Sequence, residues 1–148
     1  MKKKEYKVFV PGNVPSSKNS RQTNMKTGRS FVSKTVARYY KSTEEFFLLG
    51  RNAWRRRWDT LSKPWPIYFH FVRGSRHKFD WINPAQTIQD RLTKFDWIDD
   101  DNTSVMIPFP LLVDGEWSTI NLDEPGCWIY ITNIPAQTIQ IKSEFHLI

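Results

Sequence analysis

The chain has 148 residues, 39% hydrophobic and 25% charged, with 22 Lys/Arg against 15 Asp/Glu and a formal net charge of +7. That suits one domain with a buried core and excludes a chain disordered throughout. The single cysteine, Cys127, excludes an internal disulfide and a zinc site built from several cysteines, and no run of 18 apolar residues marks a membrane span.

The start, MKKKEYKVFV, is charged with no apolar run behind it, so it does not read as a signal peptide, and a cytoplasmic location is expected. Tyr6, Val8 and Val10 alternate with polar residues, which predicts a half-buried strand over Glu5–Val10, ended by Pro11-Gly12. Residues 13–29, rich in Ser, Asn, Lys and Arg, read as an extended loop. Its polar side chains Lys18, Asn19 and Arg21 are candidate phosphate contacts.

Ser33 is placed to cap a helix from about Lys34 to Asp59, with Val36, Tyr40, Phe47 and Trp54 on one apolar stripe. Arg51, Arg55, Arg56 and Arg57 crowd its last turns, where they favour the helix C-terminus through the backbone dipole or, at Arg55, contact DNA. Ile67–Val72 is apolar on both faces and predicts an inner strand. His70 then falls in the core, and His77 nearer Asp80. Asn83-Pro84 predicts a helix start with Asn83 as N-cap, and Ala85, Ile88, Leu92 and Phe95 turned to the core. Asn83, Gln86 and Asp90 fall on the other face. Val105–Leu112 reads as an edge strand because of Pro108 and Pro110, Trp128–Thr132 as another strand, and Thr138–Ile148 as a last one. Trp81 and Trp97 are expected in the core. The hexapeptide PAQTIQ occurs twice, at 84–89 and 135–140, in unlike contexts, and carries no repeat architecture. The fold class is α+β: one domain, 1–148, with a small mixed sheet against two main helices.

Charge is unevenly spread. Residues 1–60 hold 15 Lys/Arg against 4 Asp/Glu, and residues 61–148 hold 7 against 11. Six aspartates lie between Lys78 and Asn102: Asp80, Asp90, Asp96, Asp99, Asp100 and Asp101. A basic body attracts a polyanion, and clustered acids repel one unless a cation intervenes. Carboxylates with a divalent ion, presented to nucleic acid by a positive surface, form the arrangement of a metal-dependent nuclease. Adjacent aspartates cannot all point inward, so Asp96 and Asp99 are expected to face solvent. No Gly-rich phosphate loop is present, which argues against a nucleotide cofactor.

Four segments carry a resemblance in chain order: Val8-Phe9-Val10-Pro11-Gly12 followed by Pro15-Ser16-Ser17-Lys18-Asn19; Lys78-Phe79-Asp80-Trp81-Ile82-Asn83; Asp90-Arg91-Leu92; and Ile98-Asp99-Asp100-Asp101-Asn102. Over roughly two-thirds of the chain, this order resembles the RusA family of Holliday-junction resolvases. The resemblance implies a RusA-like fold and a homodimeric endodeoxyribonuclease that cuts branched DNA in recombination and repair, with Mg2+ as cofactor and Mn2+ able to substitute. It implies metal binding by Asp80, Asp100 and Asp101, and it matches Asn83 and Asp90 to the family's asparagine and helix aspartate; Asp80, Asp90 and Asp101 are the candidate catalytic shell, and Lys78, Asn83 and Gln86 are candidate DNA contacts. It also makes a prophage origin plausible. The chain departs from the family's D-x-D-N and lysine pattern at Ile82 and Gln86, where the family has an aspartate and a lysine. Two other readings stay open: a protein that binds branched DNA without cleaving it, and a protein-interaction module with solvated acidic loops.

Overall fold

The structure is a computed structural model that describes residues 2–16, 21–23 and 25–143, with the side chains of 21–23 and 30–32 left aside. Seven strands and two helices follow one another as β1 (Glu5–Pro11), β2 (Arg21–Thr23), β3 (Ser30–Val32), α1 (Lys34–Trp58), β4 (Trp65–Arg73), α2 (Ile82–Lys94), β5 (Met106–Pro110), β6 (Ser118–Ile120) and β7 (Gly126–Thr132). The fold is α+β, a mixed five-stranded sheet with two helices. The sheet runs β1-β7-β4-β5, with β6 also on β4, and β2 pairs β3 in a separate ribbon.

β4 is the inner strand, antiparallel to β7 and parallel to both β5 and β6. Parallel neighbours need a crossover, and α2 supplies it between β4 and β5. That connection fixes α2 against the sheet. Alternation along the strands puts Val10 of β1, Trp65, Ile67, Phe69 and Phe71 of β4, and Cys127, Ile129 and Ile131 of β7 into one core. α1 adds Phe47, Trp54 and Trp58, and α2 adds Ala85, Ile88 and Leu92. Burying each large apolar side chain contributes about 1.5–3 kcal/mol.

The predicted boundaries of β1 and α1 hold. The Ser33 hydroxyl accepts from Val36 N–H as the N-cap of α1, and Tyr39 rather than Tyr40 is the buried member of the stripe. Three expectations change. The supposed loop 13–29 contains β2, which forms a two-stranded ribbon with β3. Asn83 does not cap α2: the helix begins at Ile82, Trp81 stands at the cap position, and the Asp80 carboxylate accepts from Ile82 N–H instead. Pro84 remains within the first turn, where no N–H is missed. The strand expected over Thr138–Ile148 is absent from residues 138–143, where Ile139 and Ile141 are 97% and 83% exposed. Residues 144–148 lie outside the described part. β6 has no counterpart among the predicted elements. Among the described residues no helix is long and apolar enough to cross a membrane.

Candidate functional site

The site is built on the outer face of α2. Asn83, Gln86 and Asp90 recur at spacings of three and four, which stacks them along one side of α2, and Asp80 lies two residues before the helix begins. Asn83 Nδ2 donates to Asp80 Oδ2 at 3.2 Å. One turn on, Gln86 Nε2 donates to Asp90 Oδ1 at 2.9 Å and to Asp101 Oδ2 at 3.1 Å.

The end of α2 explains how Asp101 returns to the helix. Trp97 N–H donates to Leu92 C=O and Asp96 N–H to Thr93 C=O, the paired bonds of a Schellman cap. Its left-handed residue is Asp96 (φ 63°), where glycine is usual. Asp96 is held there by Arg51 Nη2 at 2.6 Å and Arg55 Nη2 at 3.1 Å, and Arg55 Nε donates to its carbonyl at 2.7 Å. The reversed chain then buries Trp97 and Ile98, and Trp97 Nε1 donates to Phe47 C=O at 2.7 Å. The acidic loop is thereby laid back along α2.

The electrostatics of the two acidic groups differ. Asp96 and Asp99 are ion-paired: their carboxyls lie below the usual range, Asp96 chiefly through Arg51 and Asp99 chiefly through Lys63 and then Arg55. Asp90 is shifted the other way. Burial raises it, the Gln86 amide lowers it, and the charge of Asp101 raises it again. Among the described residues no cation lies within ion-pair distance of Asp80, Asp90 or Asp101.

Asp90 and Asp101, two of the expected catalytic residues, therefore meet on one amide. Asp80 stands just before α2, engaged with Ile82 N–H and Asn83. Asp100 is turned to the loop itself, its carboxyl held low first by the hydrogen bond from Asn102 Nδ2 and then by that from Asp101 N–H. Among the described residues no group of three or more His, Cys, Asp or Glu side chains is arranged to hold a metal ion. Magnesium is commonly held by one or two carboxylates, with water and substrate phosphate completing its octahedron. The Asp90–Asp101 pair fits that donor count; a full protein cage it does not make.

Arg55, a candidate DNA contact, is engaged within the fold: its guanidinium is bound to Asp59, Asp96 and Asp99, with the side chain only 12% exposed. His70 is buried as expected, and Trp97 and the half-buried Trp81 pack in or against the core. Lys18 and Asn19 lie outside the described residues, as does the side chain of Arg21. Lys78 lies on the wall of a cleft of about 230 Å³ that opens beside Asp80. Arg73 and His77 share that wall. Arg73 is not among the residues expected from the sequence, although residues 73–78 (RGSRHK) hold four basic side chains in six positions, a signal that marks it. Compared with known proteins, the chain matches no protein-family model and no curated protein sequence.

Proposed function

We propose that this protein is a magnesium-dependent endodeoxyribonuclease that acts on four-way or other branched DNA, as its resemblance to the RusA family implies. The observation that carries this reading is the meeting of Asp90 and Asp101, from a helix and a distant loop, on the Gln86 amide; a cleft with basic residues on its wall opens beside Asp80. Two carboxylates without a protein cation repel one another, and a hard cation relieves that repulsion. Asp90 and Asp101 would hold the ion, with Asp80 just before α2. When bound, such an ion lowers the pKa of a coordinated water and neutralises charge developing on the phosphate. The Gln86 amide orients both carboxylates, and Arg73 and Lys78 draw the DNA backbone toward them. A homodimer would offer two such sites for symmetric cuts across a junction.

The test is a synthetic four-way junction and its matching duplex, incubated with and without Mg2+. Junction cleavage should need the ion and disappear in Asp101→Asn and Asp80→Asn, while binding survives. Binding should weaken with salt at a log–log slope of about −0.9 per phosphate neutralised. A second reading, binding of branched DNA without cleavage, is favoured by Ile82, 71% exposed at the first position of α2 where the family has an aspartate. Ion-independent binding with no strand cut would select it. No affinity for DNA at moderate salt would reject both.

A further inference from the structure

The cleft beside Asp80 has features that the carboxylate pair does not use. Its walls come from the Asn13–Ser16 segment after β1, the end of β4 with the Arg73–Phe79 link, and the start of α2. The link is tied to the first wall, because Asn13 Oδ1 accepts from Gly74 N–H at 2.7 Å. Phe71 and Phe79 give it an aromatic side, their ring centroids 5.7 Å apart. The Arg73 guanidinium lies 4.9 Å from the Phe79 ring centroid. Arg73 Nε is buried and has no hydrogen-bond partner among the described residues.

Arg91 Nε is likewise buried and unpartnered among the described residues, but Arg91 Nη2 donates to Tyr40 C=O and Arg91 does not line the cleft. Arg51 and Arg55 are both matched to carboxylates. Around the cleft, Arg73, His77 and Lys78 have no ion-pair partner among the described residues. Cations without a protein counter-charge beside a cleft leave it open to an anion, which charge-assisted hydrogen bonds would hold. At about 230 Å³ the cleft is smaller than the roughly 300–1,000 Å³ that encloses a whole small-molecule ligand. It suits one unit of a longer strand better than a free cofactor. Cationic donors next to a planar guanidinium–phenyl pair match the two halves of such a unit, a phosphate and a base.

We propose that this cleft captures a single unstacked nucleotide of the DNA, its phosphate on Arg73 and Lys78 and its base against the Arg73–Phe79 pair. The inference rests on the DNA-directed reading above and adds to it the way in which branched DNA is told from duplex. Bases at a branch point are already partly unstacked, so moving one into the cleft costs less there than within a duplex.

The full chain, held in chelator so that no strand is cut, is titrated against three DNAs of one sequence. One is fully paired, one carries a single unpaired 2-aminopurine nucleotide, and one carries an unpaired abasic nucleotide at the same place. The 2-aminopurine DNA should bind at least about fivefold more tightly than the paired duplex, the lower end of what base stacking supplies, and its emission should change on binding. The abasic DNA should lose most of that advantage. Arg73→Gln and Phe79→Leu, the second keeping an apolar side chain, should each bring the ratio of unpaired to paired affinity toward one. Equal affinity for all three DNAs, or a ratio unchanged in both variants, overturns the proposal while leaving the nuclease reading standing. Failure to bind any of the three, or a four-way junction, removes that reading and this one with it.

Discussion

Asp90 and Asp101 accept hydrogen bonds from one and the same nitrogen, Gln86 Nε2. Burial and the neighbouring charge raise the Asp90 carboxyl against the pull of that amide. The folded chain therefore binds this proton more tightly than the unfolded chain does. The carboxyl's favourable contribution is complete below the ordinary value of 3.8 and is lost as pH rises through the raised folded value. Asp90→Asn removes the titration and keeps an oxygen for Gln86. The melting temperature of the variant, minus that of the parent, should climb between about pH 4 and pH 7. A difference independent of pH would contradict this account of Asp90.

If the pair takes a cation, millimolar Mg2+ or Mn2+ should raise the melting temperature and a chelator should reverse the rise. At an ion concentration 100 times Kd the gain is about 2.7 kcal/mol. Asp101→Asn should abolish the ion-dependent part. The readout needs no DNA and no turnover, so it tests the site apart from the activity.

Arg55→Ala should destabilise the fold without changing how DNA affinity responds to salt. The exposed ion pairs account for little of the cost, roughly 0–1 kcal/mol each. The greater part comes from the Asp96 carbonyl and the left-handed cap that Arg55 holds, for a total of about 1–3 kcal/mol by urea titration. Asp96 and Asp99 have depressed carboxyls, so their share is present above the ordinary value of 3.8 and is lost as pH falls through the folded values. A shallower salt slope in this variant would return Arg55 to the DNA surface.

Gly50→Ala tests the seat of Trp97. Inside an exposed helix this change stabilises by up to about 1 kcal/mol. Here an added Cβ would lie 2.5 Å from Trp97 Cζ2 and 2.8 Å from Cη2, in a ring packed between α1 and the returning acidic loop. Overpacking costs about 1–3 kcal/mol, so a net loss is expected. The displaced loop should also weaken the ion-dependent shift at Asp101. A stabilised variant would show that the ring has room to move.

His70→Leu removes a buried staple of the sheet. Nδ1–H donates to Leu111 C=O at 2.8 Å, which leaves Nε2 to accept from Thr119 Oγ1–H at 3.1 Å. The ring thus joins β4 to the chain after β5 and to β6. Leucine leaves both partners unsatisfied, for about 2–4 kcal/mol. The denaturant midpoint should fall with an unchanged slope.

Legibility in the sequence followed the range of the forces involved. Alternation in Tyr6, Val8 and Val10, and the Ser33 cap with its apolar stripe, are local patterns, and β1 and α1 stand where those patterns put them. The ribbon of β2 and β3 was missed because three-residue strands are too short to show a period. β6 was missed for the same reason: only its pairing with β4 makes it a strand. Thr138–Ile141 shows the reverse, an alternating pattern to which the described structure gives no pairing partner.

The same division runs through the site. The spacing of Asn83, Gln86 and Asp90 puts them on one helical face whatever the rest of the chain does, so the sequence alone determined that row, with Asp80 just ahead of it. It also determined the basic run at 73–78. Which acids meet was decided by tertiary structure. The left-handed turn at Asp96, clamped by two arginines from α1, sends the chain back along α2, bringing Asp101 to Gln86 and tying Asp96 and Asp99 to cations. Charges within a few ångströms are set by the packing of elements far apart in the chain, and one sequence read along its length carries no record of that approach.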